Sequence, residues 1–159
     1  MCSKWVTGEF NDALKAASEF SKAARENNFT PIREKIEQPL SYAPDDFVPS
    51  KSKGEYWEFH YKLHLANREE GENLHSKILN ADQWKKNARM SKSALREKAN
   101  DGGIYRIVTL RLYDGDKAHA KGKCDELKAW LTSNECNVIK IQREISVYDD
   151  YLELDQGWL

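Results

Sequence analysis

The ten residues at positions 56–65, YWEFHYKLHL, constrain the architecture more than any other stretch of the chain. Trp57, Phe59, Tyr61, Leu63 and Leu65 alternate with Glu58, His60, Lys62 and His64. A period of two marks a β-strand with one face on a core and the other polar. On a helix the two histidines, four positions apart, would lie side by side as in a zinc-binding HExxH segment. The intervening residues are Tyr-Lys-Leu, however, and the general-base glutamate of that motif is absent. On a strand rising ~3.3 Å per residue the two imidazoles share a face but sit roughly 13 Å apart. That is too far to share an ion, so the pair predicts no metal.

The remaining elements follow from the same reasoning. Leu74, Ile78 and Ala81 recur at helical spacing within 69–81, and Ala120, Cys124, Leu127 and Leu131 do so within 118–131. QWKKNARM (83–90) reads as a polar edge strand with Trp84, Lys86, Ala88 and Met90 on one side. IYRIVTLRLY (104–113) follows the turn signal Asp101-Gly102-Gly103, and NVIKIQREISVY (137–148) is the last strand. The order strand–helix–strand–strand–helix–strand predicts an α+β, ferredoxin-like βαββαβ antiparallel sheet over 55–148, with the helices on one face.

Residues 1–37 are expected to form an N-terminal βαβ extension. KWVTGEF is a short β-like run, and Asn11 or Asp12 can cap a helix carrying Ala13, Ala17, Phe20 and Ala24. Asn27-Asn28 stops that helix, and Ile32 and Ile36 then alternate with Arg33, Lys35 and Glu37. A faint internal echo links Val6–Ile36 in spacing to Val108–Ile145. Residues 38–54 hold three prolines and three serines and read as a linker. Its Leu40, Tyr42, Phe47 and Val48 predict a path packed across a surface. The stretch 149–159 reads as an ordered tail in which Asp155-Gln156-Gly157 turns and Trp158 docks on the fold.

Composition narrows the function classes. Lys+Arg 25 against Asp+Glu 26 argues against a general nucleic-acid or membrane binder. Three cysteines without a CxxC spacing suggest neither a zinc ribbon nor a disulfide framework. Residues 1–7 lack the apolar region of a signal peptide, and no run approaches membrane-span length. A reduced, cytoplasmic setting is the expectation, with no cofactor fingerprint and no nucleophile motif.

The FHYKL strand, KKNAR, RIVTLRLYDG and above all the ending QREISVYDDYLELDQGWL resemble a family of short uncharacterised, mainly bacterial proteins. The resemblance covers residues 56–159 and implies one structural unit there. It implies no activity, cofactor or catalytic residue.

Alternation also assembles a candidate site. With Val108, Leu110 and Leu112 turned to the core, Tyr105, Thr109, Arg111 and Tyr113 share the polar face with Glu58, His60, Lys62 and His64. The last strand adds Lys140, Gln142, Glu144 and Tyr148. His60, Lys62, His64, Arg111, Tyr105 and Tyr113 together suit a small anionic ligand, a phosphate or a carboxylate. The plain alternative is a solvated sheet face on which Glu58 and Glu144 pair with the cations. A phosphoester-type hydrolase using His60 or His64 with Lys62 and Arg111 is the enzymatic alternative, although no HxT/S repeat supports it. RNA binding would use the aromatic face and the basic 85–98 loop, but the RNP1 pattern is missing from the 102–113 strand. A non-catalytic binding domain is the leading expectation, with a homodimer through the sheet face or tail as a further possibility.

Overall fold

Strand 56–65 forms where the alternation places it. In the computed structural model, which describes residues 3–92 and 97–155, the elements run α1 (Phe10–Glu26), β1 (Lys35–Pro39), β2 (Tyr56–Leu65), α2 (Arg68–Asn80), β3 (Ala88–Lys92), β4 (Ile104–Leu112), α3 (Lys117–Ser133) and β5 (Asn137–Asp149). The five strands make one antiparallel sheet in the order β1-β5-β2-β4-β3. The protein is therefore α+β, and no described helix is long and apolar enough to cross a membrane.

The apolar row of β2 is the floor of the core. Trp57, Phe59, Tyr61 and Leu63 are all 0% exposed, and each such side chain contributes about 1.5–3 kcal/mol by leaving water. Phe59 stands opposite Leu110 and Tyr61 opposite Val108 on β4. Leu74 and Ile78 of α2, with Ala120, Cys124, Leu127 and Leu131 of α3, complete the same core cluster. Both helices thus cover the face that the alternation assigned to them. The polar tips of the aromatics are satisfied, since Trp57 Nε1 donates to Gly115 O (3.0 Å) and Tyr61 Oη to Cys124 O (2.8 Å).

Four expectations change. The N-terminal strand does not form, so the extension is αβ rather than βαβ. Residues 3–9 are coil, with Trp5 84% exposed; a strand without a ladder partner leaves its backbone groups unpaired, and β1 already takes the edge beside β5. The echo between 6–36 and 108–145 is accordingly not a structural repeat. The cap of α1 is Glu9 rather than Asn11 or Asp12, with Asp12 accepting from Glu9 N at 2.9 Å. Finally, the edge strand expected over 83–90 begins only at Ala88. Before it the chain turns, held by Trp84 N to Ala81 O and Ala88 N to Trp84 O, both 2.8 Å, and this turn rather than alternation buries Trp84.

The 38–54 segment packs through Leu40, Ala43 and Phe47, while Tyr42 and Val48 stay exposed. Lys117 Nζ pins it by donating to Ala43 O at 2.6 Å. Trp158, the Gln156-Gly157 part of the expected turn, and residues 93–96 of the basic loop lie outside the described residues.

Candidate functional site

Register converts the polar rows of four strands into one surface. Glu58 of β2 lies opposite Arg111 of β4 and Glu144 of β5; His60 lies opposite Thr109 and Gln142; Lys62 opposite Ile107 and Lys140; His64 opposite Tyr105 and Asn137. From the outer edge β1 adds Lys35 and Glu37, after an irregularity between Ile36 and Glu37.

One end of this surface is built around Glu58, whose side chain is 0% exposed. Arg111 Nε donates to Glu58 Oε1 at 2.6 Å, and Lys35 Nζ donates to Oε2. Lys35 Nζ also lies 2.5 Å from Glu37 Oε1. His60 stands beside this group, with Nε2 3.4 Å from Glu58 Oε2 and 3.8 Å from Glu144 Oε2. Its Nδ1 is 2.9 Å from Thr109 Oγ1. Burial opposes the charge on Glu58, but the His60 contact, Lys35 and Arg111 together hold its carboxyl well below the usual range. Burial likewise disfavours the Lys35 ammonium, and the Glu58 and Glu37 carboxylates more than offset it, raising its pKa. Glu37 is pushed up by burial and by neighbouring Glu58, against the pull of Lys35.

Beyond this lies a second buried acid. Asp149 accepts from Arg33 Nε at 2.8 Å and from Tyr56 Oη at 2.7 Å. The Tyr56 ring carries Arg111 at 4.9 Å and Lys35 at 5.1 Å and leans on Tyr113 at 5.3 Å.

The other end is cationic. Lys62 and Lys140 are direct cross-strand partners. Lys62 Nζ sits 4.4 Å from the centre of the Tyr105 ring, and His64 packs beside that ring at 5.6 Å while its Nε2 is 3.1 Å from Asp101. Among the described residues no carboxylate forms an ion pair with Lys62 or Lys140.

The candidates named from the sequence thus fall into two groups. His60 and Arg111 gather around Glu58, with Tyr113 behind them on Tyr56. Lys62, His64 and Tyr105 form the cationic end. The pairing of Glu58 with cations, the plain reading, describes Arg111 and Lys35 well. What alternation missed is the placement of Lys35 and Glu37 beside Glu58. Both stood in a charged row of the 29–37 stretch, but nothing in that row names its partner strand.

The chain matches no protein-family model, no curated protein and no solved structure.

Proposed function

We propose that this protein is a non-catalytic binding module in which residues 55–148 form a ferredoxin-like domain and an anionic group, a phosphate or a carboxylate, is held at the cationic end of the polar sheet face. The strand order β5-β2-β4-β3 supports the fold assignment. The observation that carries the ligand assignment is the Lys62–Lys140 pair. Like charges directly opposite on a sheet destabilise it by roughly 0.2–1 kcal/mol. An anion between the two ammonium groups removes that repulsion and gains two charge-assisted hydrogen bonds. His60 and His64 flank the position along β2, and the Tyr105 ring lies 4.4 Å from the Lys62 ammonium. Arg111 acts indirectly, by neutralising a carboxylate that would otherwise repel the ligand.

Orthophosphate and citrate are the probes, titrated against the full chain by NMR and calorimetry. Lys62→Ala and Lys140→Ala are each expected to weaken binding about tenfold or more, and added salt to weaken it further. Binding that is untouched in the double variant overturns the proposal. A hydrolytic reading using His60 or His64 with Lys62 and Arg111 draws support from the way Thr109 and Glu58 orient the His60 ring. Turnover of a phosphodiester that disappears in His60→Ala would favour it over binding alone.

A further inference from the structure

Glu37, Glu58 and His60 each offer one ligand atom, and the three atoms lie within 4.8 Å of one another. Two carboxylates and an imidazole are a donor set suited to Zn²⁺, Mn²⁺ or Fe²⁺. Three features set this group apart from ordinary surface acids. Glu58 is fully buried, and Arg111 occupies its Oε1, so Oε2 is the oxygen turned toward Glu37 and His60. His60 has its Nδ1 engaged by Thr109 Oγ1 at 2.9 Å, which leaves Nε2 facing Glu58 Oε2 at 3.4 Å. A hydrogen bond on the far ring nitrogen is how proteins orient metal-binding imidazoles. Lastly, the carboxylates already share a cation, since the Lys35 ammonium contacts both Glu58 Oε2 and Glu37 Oε1.

Charge points the same way. Glu37, Glu58 and Glu144 are three carboxylates, and Lys35 and Arg111 are two cations around them. With His60 neutral, these groups carry one unit of net negative charge (three minus two). The side chain of Lys35 reaches the site from edge strand β1 on a flexible stem, and it is 18% exposed. It can leave without moving the backbone of β2.

We propose that Glu37, Glu58 and His60 form a divalent-metal site for which Lys35 is the competing internal cation. The ion replaces the ammonium between the two carboxylates, and Glu144, 3.8 Å from His60 Nε2, supplies a further oxygen. The site shares His60 with the flank of the anion position but uses neither Lys62 nor Lys140, so metal binding unchanged in Lys62→Ala and Lys140→Ala separates it from the anion reading.

The test uses the full chain, stripped with a chelator and titrated with Zn²⁺ by calorimetry and with Co²⁺ by visible absorption. One ion per chain is expected. His60→Ala and Glu37→Gln should each weaken binding at least tenfold, and Thr109→Val about tenfold through loss of the ring's second hydrogen bond. Lys35→Met, which removes the competitor and keeps the stem, should bind at least tenfold more tightly than the parent. A parent chain that takes up no ion overturns the proposal, as does binding that is unchanged in both His60→Ala and Glu37→Gln. So does a folded Lys35→Met variant with no gain in affinity. His60→Ala and Glu37→Gln decide the question by themselves if Lys35→Met does not fold.

Discussion

Glu58 and Glu144 stand directly opposite each other on β2 and β5, and one imidazole, that of His60, approaches both. Two carboxylates facing across a ladder repel, and Lys35 and Arg111 attach to Glu58. Among the described residues Glu144 has only the Gln142 side-chain amide, at 2.7 Å, and the more distant His60 ring. Glu144→Gln is therefore expected to raise stability by about 0.5 kcal/mol, within the range for removing a like-charge cross-strand pair. Urea denaturation at neutral pH measures it. A loss of stability instead would show that the Glu144–His60 attraction outweighs the repulsion from Glu58.

The acid limb of the stability profile should depend on Asp149. Burial alone would raise its pKa, but hydrogen bonds from Arg33 and Tyr56 more than offset this and hold it below the ordinary value of 3.8. A carboxyl lowered in the folded state contributes stability that is present above the unfolded pKa and lost as pH falls through the folded one. Unfolding midpoints should therefore drop as pH falls below the ordinary value of 3.8, and the drop should be shallower in Asp149→Asn. At neutral pH that variant should lose about 1–3 kcal/mol, because Arg33 and Tyr56 lose the charged acceptor that they share.

Gly54 is expected to tolerate no side chain. Its φ is 73°, and a Cβ added there would lie 2.3 Å from the Asp149 carbonyl oxygen and 2.6 Å from its backbone nitrogen. Neither neighbour is a side chain that can rotate away. Gly54→Ala should lose about 1–3 kcal/mol from backbone strain, with a further loss as β5 is pushed back. Thermal melting tests this, and an unchanged midpoint would refute the close approach.

Two buried tryptophans should respond differently to replacement by phenylalanine. Trp57 Nε1 donates to Gly115 O, whereas Trp84 Nε1 has no hydrogen-bond partner among the described residues. An orphaned buried donor costs about 1–3 kcal/mol. Trp84→Phe should consequently be close to neutral, with the cavity it leaves set against the orphan it removes. Trp57→Phe should be clearly destabilising, since it leaves the Gly115 carbonyl unpaired. Urea midpoints of the two variants, compared directly, decide it.

The central strands were legible because every second residue of 56–65 is apolar, and a sheet face buried under helices accepts only that pattern. The same holds for Val108, Leu110 and Leu112, and for the α3 face through Ala120, Cys124, Leu127 and Leu131. The polar row was legible as a row. Its division into a buried acid centre and a cationic end was not, because that depends on which residues stand opposite. Slipping β1 by one position on β5 would turn Lys35 and Glu37 to the other face, and no local feature of IREKIE fixes that register. The expected N-terminal strand failed for a related reason: KWVTGEF has strand-like residues, but nothing in it specifies a partner, and it pairs with none of the five strands.

Arg33 and Asp149, joined by their hydrogen bonds, are 116 positions apart in sequence. This contact, just before β1, therefore closes about three quarters of the 159-residue chain into a loop. Closing so long a loop is slow, and contacts of this kind form after local ones. The edge strand should be the last piece to zip during folding. In the native protein its amides should be among the first of the sheet to exchange with solvent deuterium, while those of β2, hydrogen-bonded on both sides, exchange only with global opening. The polar face would then owe Lys35 and Glu37 to the most easily released strand of the sheet, and Glu58 and His60 to its most persistent one.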